Sequence, residues 1–269
     1  MSLHRPTIAE IYSVAQTRGQ SGENPWAWDG LTDYWNVSIP LNDVGGGQVC
    51  NLANRLNWGA SSVLSSTAWS HEGVTLAANT NRVMTPVKPV FNATKGFSVL
   101  MRFRPTSFGT GKALNFFSMP DTNWFYISKG ATEAQVLVGM FKSWAGPQLY
   151  SAASNDITDG NFHTLVVTYN PTESILYVDG QVNDTGAGLS GTIAFTSATD
   201  YAVMGNSTSF AGTISHVAFY DRVLNPRELL HLHYDPDAAV RPRYSIPRSP
   251  PTAASATTIF PLITQYLAG

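Results

Sequence analysis

The sequence predicts an all-β fold, a sandwich of antiparallel strands with an additional segment at each end. Runs of β-branched and aromatic residues recur along the chain with turn residues between them, as they do in sandwich proteins. Every second residue of the run 97–103 is large and apolar, which predicts a strand with one buried face. Asp179 and Gly180 supply the positive φ angles that a tight hairpin turn needs.

The clearest strand pair lies within residues 159–182. β-branched and aromatic side chains dominate the runs on either side of the turn-forming residues 170–174, and such runs favour half-buried strands. This segment therefore predicts a strand, a turn and a second strand that ends in the tight turn.

The remaining elements follow from the same kind of pattern. A helix is predicted after Asn225, a favoured helix cap, because Pro226 then occupies the favoured first helical position. A short helix is also predicted at residues 7–16, with Thr7 as its cap. Further strands are predicted at residues 30–36, 74–76, 83–84, 96–105, 113–117, 124–127, 135–141, 201–205 and 210–224.

Changes in composition divide the chain into an N-terminal arm at residues 1–29, the sandwich at residues 30–234 and an extended C-terminal arm at residues 235–269. Residues 241–251 are basic and proline-rich, which predicts extended backbone. Residues 257–267 are apolar, so this arm needs a surface on which to bury them. We expect it to dock on a partner through Arg241, Arg243, Tyr244, Ile259, Phe260 and Leu262.

Charge and cysteine content exclude several classes of protein. The formal net charge is -2 and charged residues make up only 13%, so no basic surface attracts nucleic acid. Cys50 is the only cysteine, which rules out an intramolecular disulfide and a cysteine-rich zinc site and indicates a reducing cytoplasm. The start of the chain does not resemble a signal peptide, and no apolar run reaches the roughly 20 residues that span a bilayer. We therefore expect production in the cytoplasm and no membrane insertion.

Three segments resemble the laminin-G-like, concanavalin A-like family of jelly-roll domains. Residues 30–36 resemble its first strand, residues 159–180 its central hairpin and residues 210–224 its closing strand. The resemblance extends over residues 30–234 and implies two antiparallel sheets packed as a sandwich. Residues 228–243 also resemble the ends of proteins of this family that tailed bacteriophages encode.

The resemblance implies where relatives hold calcium, which is at the rim of the sandwich with oxygen ligands. The ligand positions correspond here to Asn51, Asn54 and Ser215, all of which have neutral side chains. Because the carboxylates are missing, most of the charge that attracts calcium is missing too. We therefore expect that the calcium site has been lost and that the protein has no resident cofactor.

The sequence offers no catalytic motif. Hydrolases of this family place paired glutamates on one strand, whereas the glutamates here are far apart along the chain. Motifs of the nucleophile elbow, the phosphate loop and the zinc proteases are absent as well. His231 and His233 do not share a helix face, which favours a surface helix end over a metal pair. His163 and Asp159 belong to a structural turn in the family that the chain resembles.

Two tryptophans are candidates for stacking against a sugar or a partner protein. Trp124 and Trp144 stand in sequence contexts that predict loops. The other tryptophans are expected to pack in the core or at protein interfaces, where aromatic residues dominate the energetics.

These observations favour a non-enzymatic structural protein of a tailed phage virion. The expected form is a capsid decoration or cement protein, or a head fibre or tail component. Its arms would attach many copies, or a homo-oligomer, to other virion proteins such as the major capsid protein. The alternative is a glycan-binding adhesin or receptor-binding module that contacts a cell-surface glycan. A hydrolase is a third hypothesis, and it requires two carboxyl groups within about 10 Å of each other in a cleft.

Overall fold

The computed structural model describes residues 23–36, 62–64, 68–70, 72–76, 82–85, 90–107, 112–118, 123–130, 132, 135–141, 146–151, 156–194, 202–204 and 210–241. These residues form two large antiparallel sheets that pack face to face, which confirms the predicted β-sandwich. The predicted helix at residues 7–16 and the C-terminal arm beyond residue 241 lie outside the described residues.

The strands are β1 (Leu31–Asn36), β2 (Ser62–Leu64), β3 (Ala68–Ser70), β4 (Gly73–Leu76), β5 (Arg82–Thr85), β6 (Val90–Asn92), β7 (Phe97–Ser107), β8 (Lys112–Ser118), β9 (Asn123–Lys129), β10 (Val136–Phe141), β11 (Gln148–Tyr150), β12 (His163–Tyr169), β13 (Glu173–Val178), β14 (Gln181–Ala187), β15 (Thr192–Ala194), β16 (Ala202–Met204) and β17 (Ala211–Tyr220). A 3₁₀ helix at Pro25–Trp28 precedes β1, and helix α1 at Pro226–Tyr234 follows β17. None of the helices in the described part of the chain is long and apolar enough to cross a membrane.

The eight-stranded sheet has the order β14-β13-β12-β7-β17-β4-β3, and β1 also pairs with β17. The seven-stranded sheet has the order β11-β10-β9-β8-β16-β5-β2, and β15 pairs with β6 in a small third sheet. β17, near the end of the described chain, pairs with β7 from its middle and with β1 from its start. The sandwich is therefore closed by contacts between residues far apart in sequence.

The core between the sheets confirms the predicted face of residues 97–103. Phe97, Val99, Met101 and Phe103 are all 0% exposed. The ring of Phe97 stacks on that of Tyr169, with centroids 4.9 Å apart. Side chains of the seven-stranded sheet, such as Ile127, complete this core from the opposite side. Burial of this apolar surface is the main term that holds the two sheets together.

The hairpin predicted at residues 159–182 is present, with β12, β13 and the start of β14 joined by two short turns. Asp179 has φ 52° and Gly180 has φ 76°, the left-handed pair that a type I′ turn needs. At the other turn, the Asn170 side chain accepts hydrogen bonds from the backbone N–H groups of Thr172 and Glu173. Local sequence chemistry therefore fixes both turns.

A second apolar cluster lies on the outer face of the eight-stranded sheet. Leu229 and Leu232 of α1 are buried there against side chains of the sheet such as Val166. The described ends of both predicted arms join the same cluster through Trp28 and Val240. Residues on either side of the predicted arm boundaries are therefore packed on the sandwich.

Candidate functional site

A pocket of about 530 Å³ lies between helix α1 and the segment that precedes β1. The helix is fixed at its start by a capping box, in which the Asn225 side chain accepts from the backbone N–H groups of Arg227 and Glu228. The pocket, called the helix pocket below, is lined by Glu23, Asn24, Arg227, Leu230, His231, Tyr234, Asp235 and Arg241.

One face of α1 forms a wall of this pocket. Arg227, Leu230, His231 and Tyr234 are spaced by three or four residues, so their side chains share a face of the helix. A helix rises about 1.5 Å per residue, so this face is about 10 Å long. The helix pocket is therefore elongated along α1.

Aromatic groups stand along this wall. Tyr234 is 73% exposed, so its ring is available to a ligand. The ring of His231 packs edge-to-face against Trp26, with centroids 5.1 Å apart and planes at 69°. Trp26 in turn donates from Nε1 to Oδ1 of Asn24 at 3.3 Å, which links the aromatic groups to the opposite wall.

A network of charged side chains joins the end of α1 to the opposite wall of the pocket. The Arg241 guanidinium donates from Nε to Oδ2 of Asp235 at 2.8 Å, and its Nη2 bonds the other carboxylate oxygen. This hydrogen-bonded pairing with Asp235 raises the pKa of Arg241 above its ordinary value. Glu23 lies farther off, with Oε2 3.8 Å from Nε of Arg241. Both carboxylates that line the pocket therefore lie within 4 Å of one guanidinium.

Hydrogen bonds between the two ends of the described chain hold the pocket together. The backbone N–H of Glu23 donates to the carbonyl of Arg241 at 2.7 Å. Indole Nε1 of Trp28 donates to the carbonyl of Ala239, and the Tyr34 hydroxyl donates to that of Pro236 at 3.3 Å. The helix pocket exists only after the ends of the described chain have met.

A buried Ser–His–Asp chain on the same outer sheet face resembles a catalytic constellation. Oγ of Ser215 is 2.9 Å from Nδ1 of His216, and Nε2 of His216 is 3.1 Å from Oδ1 of Asp237. Ser215 is only 1% exposed, and its hydroxyl also accepts from Nη1 of Arg102 at 3.2 Å. A nucleophile must reach its substrate, so this chain is a structural network that ties residue 237 to β17.

His163 bridges two carboxylates at the turn before β12. Its Nδ1 is 2.8 Å from Oδ2 of Asp179, and its Nε2 is 3.0 Å from Oδ1 of Asp159. This geometry agrees with the structural role that the sequence analysis gave to His163 and Asp159. No group of three or more His, Cys, Asp or Glu side chains that could hold a metal ion occurs among the described residues.

The structure places only some of the predicted site residues. Ser215 is buried against the Arg102 guanidinium, a neighbour that repels a cation. Asn51 and Asn54 lie outside the described residues, so the expected loss of calcium stays a prediction. Outside them as well lie Trp144, Arg243, Tyr244, Ile259, Phe260 and Leu262.

Two predicted residues have surroundings that differ from the expectation. Trp124 lies in the strand predicted at residues 124–127 and not in the loop context expected of a stacking residue, and its backbone pairs with Phe117 and Phe141. Arg241 was expected to dock on a partner, but it is 7% exposed and bonds Asp235 within the same chain. Arg241 is therefore not free to dock on a partner, because folding brings its guanidinium onto the Asp235 carboxylate.

The helix pocket is not predicted by the sequence as a site. His231 and His233 are expected at a surface helix end with no further role, and they do lie in the last turn of α1. The spacing of Arg227, His231 and Tyr234 was a visible signal of a polar and aromatic helix face. The opposite wall could not be inferred, because residues 23–24 and 241 are separated by most of the chain.

Comparisons with known proteins agree on the fold. A family model described as the concanavalin A-like lectin/glucanases superfamily matches residues 77–230, more than half of the chain. Domain 4 of AbnA, a GH43 extracellular arabinanase from Geobacillus stearothermophilus solved in complex with arabinotriose, has a TM-score of 0.56 and 15% identity. That match covers 76% of this chain and 98% of the arabinanase domain.

Two further structures match over smaller parts of their own lengths. The binding domain of botulinum neurotoxin DC in complex with SialylT has a TM-score of 0.54 and 10% identity, over 76% of this chain and 51% of that one. A Trypanosoma rangeli sialidase has a TM-score of 0.53 and 16% identity, over 78% of this chain and 33% of the sialidase. At these identities the likeness shows the fold alone.

No curated protein sequence matches the chain with significance. The sandwich topology and the family match over residues 77–230 agree with each other. This chain belongs to the concanavalin A-like lectin/glucanases superfamily.

Proposed function

We propose that this domain binds carbohydrate and that the helix pocket is its site. The observation that carries the proposal is the exposed ring of Tyr234 beside carboxylate and guanidinium side chains on one concave surface. An aromatic ring packs against the apolar face of a sugar, while a few well-placed polar groups bond its hydroxyls.

The polar groups of the pocket suit a ligand with many hydroxyls. Glu23 and Asp235 offer acceptor oxygens, and Asn24 and Arg227 offer donors. Asp235 is held in place by Arg241, so part of the site is ordered before any ligand arrives. Such preorganisation lowers the entropic cost of binding.

The pocket chemistry favours binding over hydrolysis. Two carboxylates face the pocket, as a glycosidase requires. However, Arg241 donates to both oxygens of Asp235, so a proton on this carboxyl group would disrupt one of these hydrogen bonds, whereas the remaining lone pairs can still accept from a ligand. A hydrolase needs one carboxyl group to act as an acid, so this pair is better suited to accept hydrogen bonds from a sugar.

The comparisons support the proposal at the level of the fold. The arabinanase domain was solved with arabinotriose, and the neurotoxin binding domain was solved with SialylT. Other proteins with this fold thus bind ligands. The position of the site on this chain follows from its own residues.

A glycan array followed by calorimetric titration of the retained glycans tests the proposal. Tyr234→Ala should weaken binding about tenfold, because it removes the stacking ring, and it should leave stability nearly unchanged because the residue is exposed. Tyr150→Ala is the matched control, since Tyr150 is 41% exposed on the other sheet. A domain that binds no glycan, or equal losses for the two variants, would contradict the proposal.

A role in a phage virion is a second proposal, favoured by the position of residues 23 and 241. Their backbones are joined by a hydrogen bond of 2.7 Å, so the chain enters and leaves the described domain at one place. A virion protein that bound the domain at this place would therefore contact both arms. Deleting residues 242–269, which spares the buried Val240 and Arg241, should prevent incorporation into particles. Particles with a full complement of the truncated protein would refute this role.

A further inference from the structure

The half of α1 that carries His231 and Tyr234 rests on the tight turn between β13 and β14. A Cβ atom at Gly180 would lie 2.9 Å from Cδ1 of Leu230 and 3.4 Å from its Cα, so the turn packs directly on the helix. His233 faces the same turn, with Nδ1 3.5 Å from Oδ1 of Asp179. The position of this wall of the helix pocket therefore depends on the turn.

The Asp179 carboxylate is held from two other directions. Its Oδ1 accepts from the backbone N–H of Thr164 at 2.8 Å, and its Oδ2 is 2.8 Å from Nδ1 of His163. His163 has a carboxylate at each ring nitrogen, because Asp159 lies 3.0 Å from Nε2. A neutral imidazole has one N–H and one lone pair, so only the charged ring can donate to both. Loss of its proton turns one of these contacts into a repulsion.

His233 of α1 lies beside the same carboxylate. Its Nδ1 is buried and has no hydrogen-bond partner among the described residues. At 3.5 Å from Asp179 this nitrogen is too far for a good hydrogen bond, and with a lone pair there it would repel the carboxylate. The ring of His233 is therefore the point at which α1 meets the Asp179 carboxylate.

The other charged groups around this cluster come from three places in the fold. Asp156 and Asp159 precede β12, Arg102 of β7 attracts the Asp179 carboxylate, and His231 of α1 lies 3.9 Å from Asp235 at the end of the same helix. The pKa of His163 is raised because hydrogen bonds to Asp179 and Asp159 outweigh the opposing effect of burial, which is the largest single cause. The two carboxylates thus favour the protonated form of His163.

We propose that His163, Asp179 and His233 form a pH-sensitive support for α1, so that saccharide binds the helix pocket more tightly in mildly acidic than in mildly alkaline solution. This inference rests on the proposed function. In acid, the His163 imidazolium donates to both Asp179 and Asp159, and the turn beneath α1 is fixed. In alkali, the neutral ring keeps only one N–H, so one of these two contacts becomes a repulsion and the wall that carries Tyr234 loses this support.

A glycan array read at about pH 5.5 and about pH 8 tests the effect on binding. The affinity of the full chain should be at least about fivefold higher at the lower pH, the size of a weak coupling between two sites. His233→Gln and Asp179→Asn should bring the ratio close to one. Glu173→Gln, which removes an exposed charge from the other end of β13, should leave it unchanged.

Equal affinity of the unmodified chain at the two pH values would overturn the inference. So would a ratio that His231→Gln abolishes and His233→Gln preserves, because His231 would then be the sensor inside the pocket. Absence of any glycan binding would instead refute the proposed function. In that case NMR titration of the free domain decides: backbone amide signals of α1 that shift as the His163 ring titrates support the inference, and signals that do not move refute it.

Discussion

Arg241 and Asp235 form a two-contact ion pair at the end of α1, with Nε of the arginine 2.8 Å from Oδ2 of the aspartate. The side chains are 9% and 16% exposed. The backbone carbonyl of Arg241 also accepts from Glu23, so one residue joins the helix end to the segment that precedes β1. This pair is the structural basis of the helix pocket.

Arg241→Gln should therefore destabilise the domain by roughly 3 kcal/mol, because it leaves the Asp235 carboxylate mostly buried without its partner. Arg227→Gln is the control, since Arg227 lines the same pocket but is exposed and should change stability by less than about 0.5 kcal/mol. Chemical denaturation of both variants measures the difference. Equal stabilities would show that the pair does not hold the two ends together.

Gly73 and Gly160 both have positive φ angles but differ in their surroundings. A Cβ atom at Gly73 would lie 2.1 Å from the carbonyl oxygen of Ile214, whereas nothing lies within 4 Å of one at Gly160. Gly160→Ala should lower the free energy of unfolding by about 1 kcal/mol through backbone strain alone. Gly73→Ala should lower it clearly more, because β4 and β17 must also move apart to make room for the methyl group. Urea denaturation compares the two, and a larger loss for Gly160→Ala would contradict the packing of β4 on β17.

The stability of the domain should be greatest in weakly acidic solution. The pKa of His163 is raised above its ordinary value of 6.5, so its stabilising effect is complete below that value and is lost as pH rises through the raised pKa. Hydrogen bonds from Asn161 and then His163 lower the pKa of Asp159 to about 2. Its stabilising effect is present above its ordinary pKa and is lost as pH falls towards 2.

His163→Gln should flatten the alkaline side of this profile, because the titrating ring is gone. Thermal denaturation across the pH range measures it. His231→Gln, on the exposed face of α1, is the control and should retain the profile. An unmodified domain whose melting temperature does not fall between weakly acidic and alkaline pH would show that His163 does not stabilise the hairpin as an imidazolium.

Asn225→Ala should destabilise the domain by about 1 kcal/mol, because two backbone N–H groups at the start of α1 lose their acceptor. Asn225→Ser should cost much less, since serine also forms a capping box with Glu228. Circular dichroism during denaturation compares the variants. If alanine and serine behave alike, the cap does not contribute to the stability of α1.

Local chemistry explains why the sandwich could be predicted. The alternation in residues 97–103 and the left-handed pair Asp179–Gly180 each depend on only a few neighbouring residues. The strand predicted at residues 124–127 is present, but a short aromatic run does not show with which strands it pairs. Only the partners Phe117 and Phe141 decide that.

The sequence by itself determined most of the strands, the turns of the central hairpin, the cap of α1 and hence the family of the fold, because these features depend on side-chain period and local hydrogen bonds. Only the tertiary structure decided the candidate site. Glu23 lies more than 200 residues from both α1 and Arg241, and their contact arises when β1 pairs with β17. Arg241, which was predicted to dock on a partner, instead forms part of the pocket wall, because the folded chain pairs its guanidinium with Asp235.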